Sequence, residues 1–159
     1  MSDYVRTLRD SNLQRDMSHA AKAIVLRCMD YRFVSSLRDH VISLGLKDQY
    51  DLVSVAGAAK NMVDPANPAD PEFVMRQIDI AKRLHHIEEV IIINHLDCGA
   101  YGKIFASKEA ERHRHEGDLE KAKAMIKARF PGLRVRLVLA GLHPAGGFRA
   151  NHVGEAEEI

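Results

Sequence analysis

The chain predicts an α/β domain on a mostly parallel sheet, and three observations carry that prediction. Four short apolar runs alternate with stretches whose apolar residues recur at helical spacing, in the order strand, helix, strand, helix, strand, helix, strand. The runs are continuously apolar, as strands buried on both faces of a parallel sheet must be. At 159 residues and 46% hydrophobic, the chain has the length and composition of one domain that buries a real core. Residues 1–159 therefore read as a single domain, with residues 1–20 as a candidate N-terminal helical arm.

Within that arm Val5, Leu8 and Leu13 are spaced loosely as on a helix, which suits packing on a partner subunit or on the domain itself. Ala23–Arg27 (AIVLR) is the first strand. A helix over Phe33–Leu44 follows, with Val34, Leu37, Val41 and Leu44 on one face and Gly45 where a C-terminal cap belongs. Leu52–Val55 is the second strand and runs into the small-residue stretch AGAAKN. Asp70 reads as an N-cap and Pro71 as the first residue of a helix reaching about His86, with Val74, Ile78, Ala81 and Leu84 facing inward. Val90–Asn94 (VIIIN), rich in β-branched residues, is the third strand. Lys103–His115 and Asp118–Arg129 read as two helices split at Gly117. Pro131-Gly132 stops the second, Val135–Ala140 is the fourth strand, and the acidic tail reads as frayed.

Several function classes are excluded by composition. Lys and Arg total 23 against 22 Asp and Glu, so no electrostatic footprint marks a nucleic-acid or anionic-membrane partner. No fully apolar run exceeds four residues, too short to span a bilayer. The polar start of the chain lacks an apolar signal core, which gives a cytoplasmic expectation. AGAAKN lacks the glycine spacing of a dinucleotide fingerprint, and Gly99-Ala-Tyr-Gly102-Lys103 is too short for a P-loop.

Ligands of open α/β sheets bind beyond the carboxyl ends of the strands, and there the unusual residues sit. Cys28-Met29-Asp30-Tyr31-Arg32 follows the first strand, and His95-Leu96-Asp97-Cys98-Gly99 follows the third. Cys28, His95 and Cys98 form a Cys₂His set, which zinc uses when a fourth position stays open. Thiolate and imidazole suit zinc, whereas magnesium and calcium want oxygen. In competition stand plainer readings: the cysteines as two buried small hydrophobes or a disulfide, and Asp30 with Arg32 as an ordinary ion pair. Asp97 reads as a cap for a helix starting near Gly99, and Gly99 as a point of close backbone approach or an anion-facing helix start. His19, His85, His86, His113 and His115 read mainly as surface residues, one of them a candidate proton relay. Phe33, Val55 and Tyr101 belong either to an apolar substrate wall or to the core.

Cys28-x-Asp30-x-Arg32 followed by His95-x-x-Cys98-Gly99 resembles the paired signature of the β-class carbonic anhydrases, over about Ala23 to Ala100. The resemblance implies four strands ordered 2-1-3-4, a homodimer or homotetramer, and one Zn²⁺ per chain held by Cys28, His95 and Cys98. It implies carbon dioxide and bicarbonate as substrates and a zinc-bound hydroxide as nucleophile. Asp30, kept ionised by Arg32, would aim that hydroxide; on release by Arg32 it would ligate zinc and close the site.

The pattern also departs from the family. Where such proteins carry an Arg-Asn-Ala-Gly-like segment, this chain has Ala56-Gly57-Ala58-Ala59. Where many place a glutamine nine residues before the first cysteine, this chain has His19, and the glycine before the metal histidine is Asn94. His19, Val55, Ala56, Gly57 and Gly99 are thus the expected substrate pocket, in an altered form. Two further readings keep the metal: a carbonyl sulfide or carbon disulfide hydrolase, and a non-catalytic zinc module with Asp30 as permanent fourth ligand.

Overall fold

In the computed structural model, which describes residues 19–102, 104–142 and 147–154, strand β1 (Ala23–Arg27) pairs in parallel on both sides. Its neighbours are β2 (Tyr50–Ser54) and β3 (Glu89–His95); β4 (Arg134–Leu142) runs parallel to β3. The order 2-1-3-4 holds, and a fifth strand, β5 (Phe148–His152), adds antiparallel to β4. Sequence patterning misses β5 because FRANH is an edge strand of mixed polarity, with no continuous apolar run to mark it. Residues 1–18 of the candidate arm and the acidic end from residue 155 lie outside the described residues.

Helix α1 (Val34–Val41) covers one face of the sheet, packing Leu37 and Val41 with Phe33 on Val25, Ile91, Ile93 and Val138. The other face carries α2 (Lys60–Val63), α3 (Asp70–His85) and α4 (Lys108–Arg129), which bury Met62, Val74, Ile78, Leu119 and Ile126 on Ile24, Leu26, Val90 and Ile92. All seven residues of β3 are buried, as a central parallel strand requires.

Local departures have local causes. The first helix begins as a single 3₁₀ turn, Tyr31–Phe33, and ends in a wide π turn, Ile42–Leu46, released at Gly45 with φ +78°. Val34 and Leu84, expected inside, are exposed. Asp70 is the first residue of its helix rather than the cap, which is Ala69; Asn67 Oδ1 accepts the Ala69 N–H, and Asp70 Oδ2 the Asn67 N–H. Gly117 does not split a helix: α4 runs through it unbroken from the Ser107 cap, whose hydroxyl accepts the Ala110 N–H. Continuous packing of Leu119, Ala122 and Ile126 against the sheet outweighs the roughly 1 kcal/mol that glycine costs a helix.

Candidate metal centre

β1 and β3 are adjacent, in a register that pairs Arg27 with Ile93, so the segments that follow them emerge at the same edge. This adjacency is what brings Cys28 to Cys98, 70 residues apart in sequence. Their sulfurs lie 3.8 Å apart as free thiols. The ligand atoms of Cys28, His95 and Cys98 all lie within 4.8 Å of one another, and all three residues are buried.

Each donor is prepared by its surroundings. His95 Nδ1 sits 2.8 Å from the Leu96 carbonyl, which only accepts, so Nδ1 carries the proton and Nε2 presents its lone pair. That Nε2 is buried without a hydrogen-bond partner and points to the sulfurs. Phe33 packs against the ring at 4.4 Å between centroids, tilted by 36°. Cys28 is held well below the ordinary thiol range by the hydrogen bond from Cys98, helped by His95 and the Gly57 N–H, which lies 3.4 Å from Cys28 Sγ. Cys98 is pushed up by the same pairing and by burial. Without a cation, two thiolates in so small a space oppose each other; a divalent ion lets both ionise. The residues fit zinc on that chemistry and on spacing, since tetrahedral coordination with Zn–S near 2.3 Å sets sulfurs about 3.8 Å apart.

Asp30 stands beside this cluster, its Oδ2 3.7 Å from His95 Nε2, but Arg32 holds it. Arg32 Nη2 donates to Asp30 Oδ2 at 2.7 Å, Nε donates to Oδ1 at 3.1 Å, and the Arg32 backbone N–H donates to Oδ1 at 3.0 Å. These bonds drop the Asp30 carboxyl to about 2. Arg32 in turn is anchored by Asp97, through Oδ2 at 2.7 Å and the backbone carbonyl at 2.8 Å. Asp97 therefore does not cap the Gly99–Tyr101 turn; it adopts φ +56°, accepts from Arg32, and donates its own N–H to Glu111. The outer face of Arg32, with Phe33, Leu96 and Asp97, borders a cavity of about 420 Å³ against β4 and β5.

The other expected pocket residues divide. Gly57 is at the centre, with φ +79°, and a Cβ there would stand 3.0 Å from Ala100 Cβ, so glycine is what lets its N–H reach Cys28. Ala56 is exposed on the same loop, and Val55 is half-buried, packed on the core with its N–H donating to the Arg27 carbonyl. Gly99 makes no close approach, with nothing within 4 Å of a Cβ built there. His19 lies at the opposite, amino-terminal edge of the sheet beside Lys22, Gln49 and Glu88, and so lines no pocket with Cys28 in its own chain. Five strand residues separate the two edges, about 17 Å. Phe33 and Tyr101 are both buried, Tyr101 against the two cysteines.

Sequence reasoning misses His115, which reads as a surface histidine and is fully buried beside Tyr101. A break at Gly117 would place it at a helix end, whereas in the intact α4 it faces the sheet.

A family model described as “Putative carbonic anhydrase” matches residues 18–143. An uncharacterized protein of Rickettsia bellii (strain RML369-C) is 34% identical over 127 residues, spanning 77% of this chain and 77% of that one. One of the tetrameric β-carbonic anhydrases of the ascomycete Sordaria macrospora superposes with a TM-score of 0.62 at 14% identity, over 96% of this chain and 91% of that one. A carbon disulfide hydrolase in its apo form does so with a TM-score of 0.50 at 15% identity, over 99% of this chain and 90% of that one.

Proposed function

The chain belongs to the family described as “Putative carbonic anhydrase”, and from that premise we propose that it is a zinc-dependent carbonate dehydratase interconverting carbon dioxide and bicarbonate. The observation that carries the reading is the buried Cys28–His95–Cys98 set with the Arg32-held carboxylate of Asp30 at its side. Cys28, His95 and Cys98 would hold one zinc per chain, which would supply Lewis acidity near neutral pH.

The chain's own residues do the rest. Asp30 stays ionised because Arg32 donates to both of its oxygens, so it accepts the nucleophile's hydrogen and aims the lone pair at the carbon of carbon dioxide. By donating to both carboxylate oxygens, Arg32 would keep Asp30 from serving as a fourth ligand. The engagement of Asp30 by Arg32 favours this open arrangement over a closed module with Asp30 as fourth ligand. Gly57 and Ala56 present only small groups to the substrate side. A homodimer or homotetramer is part of the proposal, supported by the exposed Met29 and Tyr31 flanking Asp30. So is a cytoplasmic location, where the two thiols stay reduced for metal.

The test is stopped-flow hydration of carbon dioxide by zinc-loaded protein at about pH 7 and about pH 8.5. The expected result is a rate well above buffer that falls on the order of 100-fold or more in Asp30→Ala while zinc content is unchanged. Zinc-replete protein with no activity at either pH rejects the reading. Carbonyl sulfide and carbon disulfide, run in the same assay, then decide whether the site acts on sulfur-containing substrates instead.

A further inference from the structure

Asn94, immediately before His95, is 1% exposed and bonds through its oxygen and nitrogen to three different segments. Its Oδ1 accepts the Ala59 N–H at 3.1 Å. Its Nδ2 donates to the Tyr101 hydroxyl at 2.9 Å and to His115 Nδ1 at 3.1 Å. An amide nitrogen only donates, so His115 Nδ1 must accept, which puts the His115 proton on Nε2. That Nε2 faces Glu111 Oε1 at 3.8 Å, the oxygen that accepts the Asp97 N–H. The Tyr101 ring packs on His115 at 4.1 Å between ring centroids, tilted by 48°.

The segments Asn94 ties together are those that deliver the donors. Ala59 belongs to the loop whose Gly57 N–H points at Cys28 Sγ. Tyr101 closes the turn that begins at Cys98, its N–H donating to the Cys98 carbonyl at 3.0 Å. Asn94 itself fixes the end of β3 that carries His95. One buried amide is thus bonded to the loop behind one sulfur and the turn carrying the other, from the position next to the imidazole.

We propose that Asn94 is a positioning residue for the metal centre, setting the relative placement of the Cys28, His95 and Cys98 donors through its bonds to Ala59, Tyr101 and His115. The proposal rests on the reading of those three residues as metal ligands and not on the reaction they serve. A buried amide with both donors used and its oxygen bonded cannot rotate without stranding a buried partner, which is why it holds geometry rather than merely filling space.

Zinc affinity by chelator competition, and the thiolate-to-cobalt absorption of the Co²⁺-substituted protein, read donor placement directly without any assay of turnover. Asn94→Ala, verified as folded by circular dichroism, is expected to bind zinc about 10- to 100-fold more weakly and to shift the cobalt band. Tyr101→Phe, which removes the hydroxyl bonded to Asn94 and Asp118 and keeps the ring, is expected to lose affinity by a smaller factor. The double variant is expected to lose less than the product of the two, because the residues share one network. A folded Asn94→Ala with wild-type zinc affinity and an unchanged cobalt band overturns the proposal. If Asn94→Ala does not fold, Tyr101→Phe alone decides, and unchanged affinity and spectrum there overturn it equally. A wild-type protein that binds zinc but does not hydrate carbon dioxide leaves this inference intact and removes only the proposed reaction.

Discussion

His115 shows how one side chain's surroundings become a property of the folded protein. It is fully buried on α4, and burial pushes its pKa down to about 4, with the positive charge of Arg114 adding to the effect and Asp118 opposing it. Glu111, 3.8 Å from Nε2, is the nearest carboxylate. In the unfolded chain the same imidazole titrates near 6.5. The unfolded state therefore binds the proton first as pH falls, and stability is complete above about pH 6.5 and declines from there towards pH 4. Between about pH 7 and pH 5 the expected loss is roughly 2 kcal/mol, read from urea midpoints. His115→Gln, which keeps an acceptor for Asn94, is expected to remove most of that pH dependence; an unchanged slope would show that other groups cause it. Nothing in the linear sequence marks this residue. His113 and His115 look alike there, and only the phase of an unbroken helix separates them.

At the scale of elements, the strands are legible in the sequence and the helix boundaries less so. AIVLR and VIIIN announce buried strands because a central parallel strand has no wet face, and both stand where that patterning puts them. The edge strand β5 and the full length of α4 are not legible, since each is decided by what it packs against. Gly117 makes the point testable. It sits inside α4, and a methyl added there would meet nothing within 4 Å, so glycine contributes only its extra unfolded-state freedom. Gly117→Ala is expected to stabilise by about 0.5–1 kcal/mol, a rise of roughly 1–4 °C in thermal midpoint. A destabilised variant would mean that α4 is not continuous through this position.

At the scale of the molecule, the candidate metal centre joins the segments that follow two adjacent strands of the sheet. Cys28 follows β1, His95 ends β3, and Cys98 leads to the turn that contacts α4 through Tyr101 and His115. An ion bound there would bridge segments that only the native fold brings together, and its binding free energy would add to folding. With free zinc at about 100 times Kd, the expected gain is about 2.7 kcal/mol, or roughly 5–10 °C in thermal midpoint, lost on chelation. Differential scanning calorimetry with and without chelator reads it. Cys98→Ser is expected to abolish most of the zinc-dependent rise; a rise that survives it would place the ion elsewhere.

Fold class, the first four strand segments and the candidate Cys28–His95–Cys98 cluster can all be read from the linear chain. Hydrophobic patterning is a local property, and cysteine and histidine at strand ends carry their chemistry wherever they are put. Folding in three dimensions was needed to decide that Asp97 anchors Arg32 rather than capping a turn, that His19 stands at the far edge, and that Asn94, Tyr101 and His115 form one buried network. Those facts depend on which side chains meet across adjacent strands and a helix packed over them. A polar residue's role is fixed by the partner it finds once water is excluded, and the linear chain does not contain that partner's address.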